Sequence, residues 1–171
     1  MKLLFLLFAL SFSTVLIAQD LTGTWEGDFM KGTIGTREKS KMSLELVEFE
    51  GKLYGIFRLF PVDTKVGDAP NVIYTVEGKR AKFAEPKFAL YKGRVVESLI
   101  PDRGKDFFQF TANYKNDQVE TISGTWFESL EPLNSRERGA GTFRIHRVND
   151  QVSDLLKGKM KEKQIANKIR E

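Results

Sequence analysis

The chain carries one histidine, His146, and no cysteine. Both facts restrict its chemistry. Haem and metal sites draw on several nitrogen, sulfur or carboxylate ligands converging on one point, and a lone imidazole lacks companions. A serine hydrolase would need His146 as its base, yet the sequence holds no Gly-x-Ser-x-Gly elbow. It also lacks a Walker-type glycine loop for phosphate. Glu45, Glu48 and Glu50 cluster by spacing, but alternate glutamates on a strand read as a solvated face. Paired-acid glycoside chemistry needs carboxylates on both sides of a cleft. These residue types argue against an enzyme, and no catalytic residue, cofactor or metal is assigned.

Binding is the chemistry that remains. Alternation places Phe29, Phe57, Leu59, Phe108 and Phe110 on the apolar faces of their strands. A basic set accompanies them in or beside the long connections: Lys31, Arg37, Lys39, Lys65, Arg94, Arg103, Arg136 and Arg138. Asp63, Asp68, Asp102, Glu131 and Glu137 temper that charge. An apolar pocket under a basic lip suits a small apolar or amphipathic molecule. The five apolar residues, with Arg136 and Arg138, are the candidate ligand contacts. The plainer reading of the lip is solubility. A net charge of +4 is ordinary and is no nucleic-acid footprint.

These side chains must be positioned by strands. Leu21, Trp25 and Phe29 share one face, opposite Thr22, Thr24, Glu26 and Asp28. Further runs follow in phase at Met42-Leu44-Leu46, Phe57-Leu59, Val72-Tyr74-Val76, Phe108-Phe110-Ala112-Tyr114, Ile122-Gly124-Trp126 and Phe143-Ile145-Arg147. A fifth strand is predicted over residues 81–91, weakened by Pro86, which removes a ladder donor. Eight runs separated by turn signals predict an all-β, antiparallel fold. Tight links are predicted at Glu50-Gly51, near Gly78 and at Asn116-Asp117; residues 31–39, 61–70, 92–105 and 130–139 are long links. Long and short connections alternate, so an up-and-down meander gathers the long ones at one end. Closing it into an eight-stranded barrel removes the exposed edges; an open sandwich is the alternative. Fourteen phenylalanines are enough to leave such a barrel largely filled, with a shallow pocket. Four Gly-x-aromatic phrases, at Gly23-Trp25, Gly55-Phe57, Gly124-Trp126 and Gly141-Phe143, fit sharply coiled strands.

The two ends of the chain differ from this middle. An apolar run from Leu3 to Ala18 follows Met-Lys. It falls short of the ~20 residues of a membrane span and has the layout of a secretory signal. Residues 1–18 are read as that signal, cut after Ala18, with an uncleaved anchor helix as the alternative. Residues 19–149 form the barrel domain, with no transmembrane segment after signal removal. A secreted or periplasmic location, in a bacterium, follows from this reading. Residues 150–171 form a C-terminal amphipathic helix: Val152, Leu155, Leu156, Met160, Ile165 and Ile169 make a rough apolar stripe among lysines. It either packs on the barrel wall or rests on an anionic membrane surface.

Gly23-x-Trp25 in the first strand and Arg147 in the last resemble the lipocalin-like (calycin) barrels. That resemblance implies that Trp25 plugs the closed end and that a late basic residue stacks over it, Arg147 or alternatively Arg144. Trp126 is the matching structural tryptophan of the seventh strand. Leu21-Thr22-Gly23-Thr24-Trp25 and Phe110-Thr111-Ala112-Asn113-Tyr114-Lys115-Asn116 are similar to avidin phrasing. The avidin ligand positions hold Gly27, Lys31, Phe57 and Leu59 instead, so biotin binding is not implied. Two functions are expected from the whole: a carrier of a small apolar or amphipathic ligand, or a non-catalytic protein-binding module using the loop rim.

Overall fold

The structure, a computed structural model, describes residues 20–32, 38–80, 87–99, 106–130 and 139–168. Eight strands follow one another: β1 (Gly23–Lys31), β2 (Glu38–Phe49), β3 (Lys52–Val62), β4 (Val72–Arg80), β5 (Lys87–Ser98), β6 (Asp106–Asn116), β7 (Glu120–Leu130) and β8 (Gly139–Asn149). Each pairs antiparallel with the next, and β8 returns to β1, closing the barrel. Alternation does the sorting. Trp25, Leu44, Phe57, Tyr74, Phe110, Tyr114, Ile122, Trp126, Phe143 and Ile145 all point inward into one buried cluster. Each large apolar side chain so buried contributes about 1.5–3 kcal/mol.

Two of the Gly-x-aromatic glycines have a steric reason. A Cβ on Gly124 would lie 2.0 Å from the Thr111 carbonyl oxygen, and one on Gly141 would lie 1.8 Å from that of Met30. Only glycine lets these strands approach so closely. Strand order puts the β1–β2, β3–β4, β5–β6 and β7–β8 links at one end and the β2–β3, β4–β5 and β6–β7 links at the other. The four links predicted to be long share an end, but the β4–β5 link, predicted to be tight, spans six residues, as many as the β1–β2 link.

The fifth strand is displaced from its predicted position. It spans Lys87–Ser98, so residues 92–98, read as loop, are ladder; Pro86 lies outside the described residues. Gly78 is not a turn residue either. It sits inside β4, opposite Leu53 and Leu90. Register shifts between Ile73 and Tyr74 and between Thr75 and Glu77 break the alternation across β4 and β5. The predicted signal segment, residues 1–18, is also outside the described residues.

Helix α1 (Asp154–Lys168) lies on the outer wall. Leu156 and Met160 pack on Ile56, with Val47, Phe49, Tyr54, Ile73 and Val152 beside them. Ser153 caps the helix: the Lys157 amide donates to its carbonyl at 3.1 Å. Glu45 then corrects the solvated-face reading. It is 4% exposed. Its carboxylate accepts hydrogen bonds from the Ser153 amide at 2.8 Å and hydroxyl at 2.6 Å. It also pairs with Arg58. At the far end Lys163 pairs with Glu77 and sits 4.4 Å over the Tyr54 ring. Among the described residues no helix is long and apolar enough to cross a membrane.

Removing one member of a buried ion pair strands the other. Glu45→Ala is therefore expected to lower the unfolding free energy by about 3–5 kcal/mol, measured by denaturant titration. Glu50→Ala, in the adjacent turn, is expected to change it by less than about 0.5 kcal/mol.

Candidate functional site

The base of the barrel is sealed by Trp25. Its position in β1 sets it between Leu44 and Arg147 in the register. The ring is fully buried, and its indole nitrogen donates to the Leu21 carbonyl at 3.1 Å. The Arg147 guanidinium lies 4.4 Å from the ring centroid, a cation–π contact. Arg147 is thus the stacking residue; Arg144 is exposed on the outside. The guanidinium also donates to the Thr22 and Asp20 carbonyls and pairs with Glu120 and Asp150. Glu120 in turn accepts from the Tyr114 hydroxyl. Tyr114 meets Trp25 edge-on at 6.0 Å. Asp20, Asn116 and this network line a recess of about 470 Å³ under the plug. Its charged groups answer one another, so it closes the base. It does not present a reactive group.

Above the plug the bore is filled ring to ring. Phe57 stacks on Tyr74 at 5.7 Å and meets Phe110 edge-on at 5.2 Å. Phe110 meets Phe143 edge-on at 5.5 Å. Phe29 approaches Phe57 at 5.8 Å and lies face to face with Trp126 at 4.3 Å. Offset and edge contacts of this kind add about 0.5–1.5 kcal/mol each beyond burial. Trp126 belongs to the long-loop half of β7. Its indole nitrogen donates to the Met30 carbonyl at 3.0 Å, and Lys31 and Gly139 lie nearby. The Phe29–Trp126 pair is thus the upper layer of the described core.

Three predicted ligand contacts, Phe29, Phe57 and Phe110, therefore meet, all 3% exposed or less. Leu59 packs beside them, partly buried. Phe108 lies in β6 opposite Glu128; its side chain is outside the described residues, as are Arg136 and Arg138 entirely. Of the basic lip, Lys39 belongs to β2 and pairs with Asp28 on the outer wall at 3.0 Å. Arg94 belongs to β5, opposite Thr75. Lys65 is exposed in the link after β3. His146 is exposed on the outer face. No group of three or more His, Asp or Glu side chains among the described residues converges as a metal site.

The sequence reading missed two features. One is the Tyr114–Glu120–Arg147 network. Tyr114 is in phase with Ala112 and Phe110, but Glu120 opens β7 and gave no periodic signal. The other is exposed apolar surface at the long-loop end: Val62, Val96 and Leu99 are 52%, 41% and 67% exposed. No protein-family model matches the chain, and no curated protein is similar enough to count as a relative.

Burial, reinforced by the Glu120 carboxylate beside it, pushes the Tyr114 hydroxyl up to about 12, against the opposing pull of Arg147. A phenol whose ionisation is delayed by folding stabilises the fold below its unfolded value of 10.0, and that stability drains away as pH rises towards about 12. Tyrosinate absorbance should therefore show Tyr114 ionising late, together with unfolding. Tyr114→Phe is expected to shrink the late step and flatten the alkaline loss of stability.

Proposed function

We infer that this barrel is an exported, lipocalin-like carrier or sensor that seats a small apolar or amphipathic molecule at its long-loop end. The asymmetry of the two ends carries this reading. Trp25, Arg147 and Tyr114 block the base with paired polar groups. The opposite end of the core finishes in the flat Phe29–Trp126 stack, under the longer connections. Rigid barrels commonly present binding groups on such loops. Because the rings of Phe57, Phe110 and Phe143 occupy the middle of the bore, the seat is shallow and the ligand is compact. An eight-stranded barrel has room for side chains or one small ligand, not both in full. The fold's likeness to calycin barrels supports the reading, and fold alone does not fix function. The role is non-catalytic.

One observation favours a second reading. Val62, Val96 and Leu99 are apolar and exposed at the same end, and the Leu99 amide is tied to the Asn71 carbonyl at 2.9 Å. Exposed apolar surface on a rigid frame suits a protein partner, as for an exported inhibitor or envelope scaffold.

Native mass spectrometry of protein purified from its own source separates these readings. The ligand reading predicts a retained small molecule that denaturation releases. It also predicts saturable uptake of an apolar fluorophore, weakened at least about tenfold, a loss of about 1.4 kcal/mol, by Phe29→Ala. A co-purifying protein, lost on Leu99→Asp, would favour the second reading. Failure of any apolar probe to bind would overturn the first.

A further inference from the structure

The outer wall of β1, β7 and β8 holds a second feature, independent of the loop-end reading. A recess of about 320 Å³ opens there, lined by Asp28, Lys41, Thr121, Arg144 and His146, with Val119 at its edge. Gly27 lines it as well, where β1 and β8 run close. A Cβ there would lie 2.2 Å from the Arg144 carbonyl oxygen. Arg144 and His146 are two residues apart on β8, so both project outward from the same face. Both are exposed. Neither makes an ion pair or a side-chain hydrogen bond among the described residues.

The charges around them are not balanced. Asp28 lies opposite Arg144 in the register, yet its carboxylate is already engaged. Lys41 binds one oxygen at 2.7 Å and Lys39 the other at 3.0 Å. Partial burial works to raise the Asp28 carboxyl, and the two lysines overcome this and hold it below its usual range. Glu26, opposite His146 on β1, is the other facing carboxylate. Thr121 on β7 is opposite both His146 and, on β6, Lys115. Lys39, Lys41, Lys115 and Arg144 thus outweigh Glu26 and Asp28. The recess combines a fork of guanidinium donors, an imidazole, an ammonium and a hydroxyl.

We propose that this recess binds a sulfate- or phosphate-type oxyanion, with Arg144 as its principal donor and His146 as a second. Arginine offers paired N–H groups that match two oxygens of such an anion. His146 adds a ring N–H donor on the same face of β8. The anion is either a free ion or the head group of an anionic lipid; the chemistry is shared.

His146 is the only histidine, so its ring protons give one isolated set of NMR signals placed in the recess. The probe is inorganic sulfate, against sodium chloride at equal ionic strength. Sulfate is expected to move the His146 signals saturably, and chloride to leave them in place. Arg144→Gln, an exposed substitution, should weaken binding about tenfold or more. Parallel sedimentation with phosphatidylglycerol vesicles separates the sources. Arg144-dependent sedimentation identifies a head group; sulfate binding without it identifies a free ion. Equal effects of chloride and sulfate together with no vesicle binding, or unchanged binding of both probes by Arg144→Gln, would overturn the proposal.

Discussion

Everything in this molecule depends on β1 closing against β8. Their antiparallel ladder joins Thr24–Lys31 of the first strand to the last. It removes both free edges of the sheet, and edges are where sheets associate and aggregate. Closure also fixes the bore. Once eight strands form a ring, every second side chain faces a space of set width, and the sequence must fill it. The aromatic ladder from Trp25 to Trp126 does so. Without the β1–β8 contact the same residues would lie on an open, curling sheet, and Arg147 would have no Trp25 to cover.

Closure leaves two ends and an outside, and each is finished by different physics. The base is finished by charge: Arg147 satisfies two backbone carbonyls and two carboxylates while covering an indole. The long-loop end is finished by the buried Phe29–Trp126 stack and exposed aliphatic side chains. The outer wall is split. Over β2 and β3 it is apolar and is covered by α1, which carries its own buried link from Glu45 to Ser153. Over β1 and β8 it is polar and cationic and stays open. Residue type thus follows neighbourhood more closely than position along the chain.

Much of this was legible in the sequence because alternation at period two sorts residues without knowledge of partners. The inward set and the barrel rest on that signal, the gathering of the links on their lengths, and the Trp25–Arg147 pair on the resemblance to calycin barrels. Three things escaped it. The β5 limits were misread because Lys92, Gly93 and Arg94 look like loop, and because bulges between β4 and β5 break the alternation. Glu45 was misread because alternation reports only which face a residue takes. What covers that face is a helix whose cap is 108 residues away in the chain. Glu120 was missed because its partners, Tyr114 and Arg147, come from the two flanking strands, and alternation says nothing of partners across a ladder. The predicted lip at Arg136 and Arg138 lies outside the described residues, so the proposed ligand contacts that the structure describes are Phe29, Phe57, Leu59 and Phe110.

Strand closure can be tested directly because the chain has no cysteine of its own. Met30 and Thr142 are register neighbours in β1 and β8. Antiparallel partners have Cα atoms about 4.5–5.5 Å apart, within the reach of a disulfide. In a Met30→Cys, Thr142→Cys double variant, the folded protein should form an intramolecular disulfide nearly completely under mild oxidation. A Met30→Cys, Thr111→Cys pair, with β7 and β8 between them, should stay reduced. If the first pair kept free thiols while the protein remained folded, β1 and β8 would not be neighbours, and the closed barrel would be contradicted.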